Sequence, residues 1–139
     1  MALLLSPGAA YTGNMIRVLI IEGHPLVRKA LEERLHDAVG LEVVGSSGQY
    51  ARAVQQAKVL RPQVILIESK APGGLETLKS LREALPAAAV IVLTSYSDGQ
   101  EEEEALRLGA AAYLLKTLDT QALVERILAC APTATPTPA

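Results

Sequence analysis

The stretch Ile16–Leu31, IRVLIIEGHPLVRKAL, sets the fold. Residues 16–21 form a short apolar run with one charge, the pattern of a strand covered on both faces. Glu22-Gly23-His24 breaks it. From Pro25 the spacing changes. Leu26, Val27, Ala30, Leu31, Leu35 and Val39 recur at helical intervals. Pro25 suits the first turn of a helix, where the missing N–H costs nothing, and Gly40 suits its stop. A buried strand, a polar corner and an amphipathic helix over Pro25–Val39 make one βα unit.

The same alternation continues along the chain. Strands are expected at Leu41–Val44, Val64–Ile67, Ala89–Leu93 and Ala111–Leu115. Helices are expected at Gln49–Leu60, Leu75–Leu85, Asp98–Leu108 and Thr120–Cys130. Pro62, Pro86 and Gly109 punctuate them. Asp98 and either Asp119 or Thr120 are placed to cap helices. Five strands alternating with five helices through short connections imply right-handed crossovers and a parallel sheet with helices on both faces. In such sheets chemistry collects at the carboxyl ends of the strands.

Composition narrows the function. The chain of 139 residues suits one domain with a core of its own. Half the residues are apolar but only four, all Tyr, are aromatic, so the core is aliphatic. A net charge of −2 and the lack of a basic stripe argue against direct nucleic-acid or anionic-membrane binding. Cys130, the only cysteine, excludes an internal disulfide and reads as a packing residue. The Leu3-Leu4-Leu5 run is too short for a signal-peptide core or a membrane span. A cytoplasmic location is the expectation. Residues 1–14 read as a flexible leader or extension, with Met15 as a second candidate start. Residues 15–130 read as the domain, and the Pro/Thr-rich 131–139 as a linker or tail.

The strand ends carry the polar residues. Glu22, Gly23 and His24 follow the first strand, and Glu68-Ser69-Lys70 the third. Thr94 ends the fourth, Tyr113 lies in the fifth, and Lys116 follows it. Two carboxylates, a hydroxyl and an ammonium are expected on one rim.

With these segments the chain resembles the receiver domains of bacterial response regulators, in the branch that usually carries a C-terminal helix-turn-helix. The matching segments are IRVLIIEGHPLVRKAL, LEVVGSSGQYARAVQQAKVLRPQVILIE, APGGLETLKSLREALPAAAVIVLTS and LRLGAAAYLLKT. The resemblance implies a flavodoxin-like (βα)5 doubly wound sheet of strand order 2-1-3-4-5. It makes Glu68 the phosphoacceptor position, where the family has Asp. Glu22 and Gly23 become the acidic Mg²⁺ pocket, Thr94 and Lys116 the phosphate-contact positions, and Tyr113 the switch aromatic. It also implies descent from partners of histidine kinases, and a dimer or partner surface on the fourth helix, fifth strand and fifth helix.

The departures from that pattern direct the functional expectation. Gly23 offers no carboxylate where Mg²⁺ requires one. Glu68 is one methylene longer than Asp. The loop ESKAPGGLE is shorter than the family's usual loop, and Lys70 brings a cation beside a weakened metal site. The expectation is an atypical receiver, a pseudo-receiver, without Mg²⁺, cofactor or catalytic activity of its own, acting by protein–protein contact. Glu68 is expected to accept hydrogen bonds from Lys116 and Thr94. A Mg²⁺-dependent phosphorylatable receiver controlling a transcription regulator is the alternative, with Ser69 as the nearest other nucleophile. A flavodoxin-like ligand binder is less well supported, because EGHPLVR is no phosphate loop. His24 reads as non-catalytic and His36 as a surface residue. The run Glu101–Glu104 reads as a solvated helical face, or an acidic patch that selects a partner.

Overall fold

A computed structural model describes residues 15–132. The leader 1–14 and residues 133–139 of the tail lie outside the described residues. Strands β1 (Ile16–Ile21), β2 (Leu41–Ser47), β3 (Val64–Ile67), β4 (Ala89–Thr94) and β5 (Ala112–Leu115) alternate with helices α1 (Pro25–His36), α2 (Ala53–Leu60), α3 (Gly74–Ala84), α4 (Gly99–Arg107) and α5 (Thr120–Cys130). The strands form one parallel sheet in the order β2-β1-β3-β4-β5.

The aliphatic strands divide their side chains between two cores. Val18 and Ile20 of β1, Leu66 of β3 and Ile91 of β4 face Leu31 and Leu35 of α1 and Leu123 and Ile127 of α5. Leu19, Ile21, Ile65, Ile67, Val90 and Val92 face the other way, onto Ala57 of α2, Leu78 and Leu81 of α3, and Ala105 of α4. Both faces of every central strand are therefore dry. This is why these runs are continuously apolar rather than alternating. Cys130 packs at the edge of the first core, as the expected packing role requires.

Three boundaries depart from expectation. Helix α1 ends at His36, not Val39. The Asp37 N–H closes onto the Leu35 carbonyl, Val39 is exposed, and Gly40 turns with φ +92°. Strand β2 runs on through Gly45-Ser46-Ser47, polar residues that carry no strand pattern. The open edge of β1 at Leu19–Ile21 supplies their partners, after a register shift that passes over Val44. The second helical segment opens as a 3-10 turn, Tyr50–Arg52, before α2.

These connections bring the carboxyl ends of β1, β3, β4 and β5 to one rim. The β3–α3 connection is held tight. Gly73 has φ +79°, and a Cβ at Gly74 would lie 2.3 Å from the Ser69 carbonyl oxygen, so the helix starts against the strand end.

Candidate functional site

Two polar clusters occupy the rim. In the first, Lys116 Nζ donates to Glu22 Oε1 at 2.6 Å and ion-pairs with Glu68 Oε1 at 2.7 Å. The remaining carboxylate oxygens also have partners. Glu22 Oε2 accepts from the His24 N–H at 2.9 Å, and Glu68 Oε2 accepts from the Lys70 N–H at 2.7 Å. Glu22 is 3% and Glu68 9% exposed. Burial alone would lower the pKa of the Lys116 ammonium. The hydrogen bonds and charges of Glu22 and Glu68 outweigh it and raise the value above the ordinary 10.5.

Two neighbours absent from the sequence reading support this cluster. The Tyr50 hydroxyl donates to the Glu68 carbonyl at 2.7 Å. Burial, with the nearby charges of Glu22 and Glu68, pushes its pKa well up, so it remains a donor. Arg28 Nη1 donates to the Glu22 carbonyl at 2.8 Å. A Cβ at Gly48 would stand 2.4 Å from that same nitrogen, so Gly48 leaves room for the guanidinium. Nothing in the spacing marks Tyr50, which reaches the site through the 3-10 turn. Arg28 could have been found, since it lies one turn into the helix that follows Glu22.

Lys70 centres the second cluster. Its ammonium donates to Thr94 Oγ1 at 2.9 Å, to the Tyr96 carbonyl at 2.9 Å and to Glu101 Oε1 at 2.5 Å. The Tyr113 hydroxyl donates to Glu101 Oε1 at 2.5 Å and lies 3.3 Å from the ammonium. The Tyr96 ring centroid is 4.4 Å from the ammonium, within cation–π range. Burial would lower the Lys70 pKa, but bonding to Glu101 and Tyr113 raises it. Burial would raise the Glu101 pKa, but bonding to Lys70 and Tyr113 holds it below 4.5. Burial and then Glu101 raise the Tyr113 phenol.

This geometry changes several expectations. Thr94 gives Glu68 no hydrogen bond. Its hydroxyl meets Lys70 and, at 3.4 Å, the Tyr96 carbonyl, because the Lys70 ammonium reaches the end of β4 first. Glu101 is not part of a solvated acidic face. Helix phase turns it inward at 11% side-chain exposure, while Glu103 stays exposed and Glu104 pairs with Arg107. Ser69 is buried. His24 caps α1, its Nδ1 accepting weakly from the Val27 N–H at 3.5 Å, and His36 is exposed beside Asp37. Gly23 is exposed. A Cβ there would meet only Tyr50 Cε1, at 3.7 Å, so neither space nor backbone demands glycine.

Strand order, a converging rim and a lysine after β5 agree with one family by sequence as well. Residues 18–128 match the response regulator receiver domain. The chain belongs to the response regulator receiver family. It is 34% identical to response regulator GacA of Pseudomonas viridiflava, over 81% of this chain and 54% of that protein. It is 35% identical to transcriptional regulatory protein LiaR of Bacillus subtilis, over 83% of this chain and 56% of LiaR. The nitrate/nitrite response regulator protein NarL of Escherichia coli is 30% identical over 79% of the chain and 52% of NarL. The chain thus spans about half the length of these relatives. The signal receiver domain of the NarL response regulator from Mycobacterium tuberculosis superposes with a TM-score of 0.78 at 27% identity, covering 84% of this chain and 96% of that one. The receiver is a regulatory module of two-component signalling. No helix among the described residues is long and apolar enough to cross a membrane.

Proposed function

We propose that this receiver is not phosphorylated, holds no Mg²⁺, and signals through protein–protein contact. One observation carries the reading: the Lys116 ammonium bridges Glu22 and Glu68, and each remaining carboxylate oxygen accepts a backbone N–H. Mg²⁺ requires near-octahedral oxygen ligands and sheds water reluctantly. Here the two carboxylates already share a protein cation, Gly23 supplies no oxygen from a side chain, and a second ammonium stands on Thr94. This donor set does not fit the ion. Phosphoryl transfer depends on positioning and on neutralising the charge that develops. Glu68 places its carboxylate one methylene further out, with both oxygens engaged. Ser69, the other nearby nucleophile, is buried.

The contact surface in this reading is α4, β5 and α5, either for a second copy or for another protein. Leu106 of α4 and Leu115 of β5 are exposed, as are Tyr96 in the β4–α4 connection and Glu103 of α4. A role in transcription control is inferred from the names of relatives such as LiaR. Contact with nucleic acid is not assigned to this segment.

Incubation with Mg²⁺ and acetyl phosphate, followed by intact-mass measurement, tests the reading. The expected mass is that of unmodified protein. A stoichiometric gain of one phosphoryl group mapped to Glu68 overturns it. The double variant Gly23→Asp, Glu68→Asp serves as the positive arm, since the space at Gly23 admits a side chain. It is expected to gain phosphate-accepting capacity that the wild type lacks.

A further inference from the structure

Lys70 is joined to more of the rim than any role at Glu68 requires. It lies in the β3–α3 connection, while its oxygen partners belong to the end of β4, the β4–α4 connection, the first turn of α4 and β5. We propose that Lys70 is an internal latch: its ammonium holds the β4–α4 connection, the start of α4 and Tyr113 in one arrangement without any bound ligand, fixing the α4–β5 face that a partner meets.

The donor count supports this. An ammonium has three protons, and three acceptors stand at bonding distance: Thr94 Oγ1, the Tyr96 carbonyl and Glu101 Oε1. Tyr113 spends its own proton on Glu101, leaving a lone pair for the ammonium at 3.3 Å. The three ammonium protons are thus fully used, with Tyr113 as a fourth, longer contact, and loss of Lys70 removes a donor from Thr94, Tyr96 and Glu101 together. The Tyr96 ring covers the outer side of the ammonium. An exposed lysine–glutamate pair contributes little. This one has side-chain exposures of 20% and 11%, and each member holds further partners.

The latch is anchored at both ends. The Lys70 N–H donates to Glu68 Oε2 at 2.7 Å, and Glu68 is fixed by Lys116. On the other side, Asp98 caps α4 by accepting from the Gln100 and Glu101 N–H groups, so the backbone carrying Glu101 is itself held. Residue 70 thus joins the buried acid cluster to the β4–α4 connection and the start of α4. A hydrogen bond from lysine to the Tyr96 carbonyl matters most, because that carbonyl belongs to a connection of only four residues between β4 and α4.

Hydrogen–deuterium exchange on the full chain, without phosphodonor, tests this proposal separately from phosphate acceptance. In Lys70→Met, amides of residues 95–104 are expected to exchange about tenfold faster, the change for losing one or two charge-assisted bonds at a partly exposed site. Peptides from β1 and β3 are expected to keep wild-type protection. Glu101→Gln, which keeps the shape but removes the charge, is expected to loosen the same segment. Unchanged exchange at 95–104, or loosening that spreads equally through β1 and β3, overturns the latch. If Lys70→Met does not fold, Glu101→Gln decides by the same two outcomes.

Discussion

Replacing Lys116 by Met tests the centre of the rim. Methionine keeps most of the length and apolar stem of lysine and removes the charge. Two carboxylates are then left facing each other. Both contacted the same nitrogen, at 2.6 and 2.7 Å, so their oxygens lie within about 5 Å, a range in which like charges oppose each other's ionisation. Glu22 is 3% and Glu68 9% exposed, so water screens them little. Removing one partner from a buried ion pair costs about 3–5 kcal/mol. The Lys116 side chain keeps 15% exposure, which points to the lower end, about 3 kcal/mol. That is a large share of an ordinary domain's stability and corresponds to a fall in Tm of about 10 °C. Urea denaturation followed by circular dichroism at neutral pH reads it directly. Adding Glu68→Gln to Lys116→Met removes one of the stranded charges and is expected to recover about 1 kcal/mol or more. A Lys116→Met variant within about 0.5 kcal/mol of wild type, the usual spread of neutral surface changes, would refute the reasoning. The two acids would then be carrying no uncompensated charge.

Further outcomes follow from the same geometry. Gly74→Ala places a Cβ 2.3 Å from the Ser69 carbonyl oxygen; despite the better helix former, urea midpoints are expected to show a loss of about 1–3 kcal/mol. Arg34 donates to Thr120 Oγ1 and to the carbonyls of Lys116 and Leu118; Arg34→Ala is expected to cost about 2 kcal/mol by thermal or urea unfolding, through loss of the bond between α1 and the β5–α5 connection. Against burial, Lys70 and Tyr113 hold the Glu101 pKa below 4.5, so folded protein binds fewer protons there than unfolded protein. Its stabilisation is complete above about pH 4.5 and is lost as pH falls through the lower folded value. The stability difference between wild type and Glu101→Gln is therefore expected to shrink with acidification below pH 4.5; a constant difference across that range would contradict the assignment.

The fold was legible because its signals are local. IRVLII, VILI and AVIVLT are apolar on both faces, and α1 and α3, which follow the first two, carry a 3.6-residue stripe. The caps at Asp98 and Asp119 and the proline at the start of α1 occupy the places their chemistry favours. What failed locally failed for tertiary reasons. Gly45-Ser46-Ser47 has no strand propensity of note, yet the unpaired edge of β1 recruits it. Val39 fits the helical stripe, yet Asp37 and Gly40 end the helix before it.

For the site, sequence alone put Glu22, Glu68, Thr94 and Lys116 at strand ends and Tyr113 within the fifth strand, because the carboxyl ends of a parallel sheet lie on one rim. It also put glycine where a carboxylate is wanted. It named Lys116 as a partner of Glu68, which the structure pairs at 2.7 Å, but not the partners of Lys70 or Thr94. A lysine stem reaches several acceptors, and which it takes depends on elements brought together from distant parts of the chain. Lys70 finds Thr94, Glu101 and Tyr113 at separations of 24, 31 and 43 residues. Four consecutive glutamates are equivalent as sequence; the phase of α4 against β5 selects Glu101 and leaves Glu103 in water. The acid at the end of VILIE and its counter-charge Lys116 were legible in the chain, but that Glu22 shares this lysine, and that Lys70 takes Thr94, was decided only when β1, β3, β4 and β5 met. Hydrogen bonds and ion pairs are satisfied by distance in space, and only the packed sheet sets that distance.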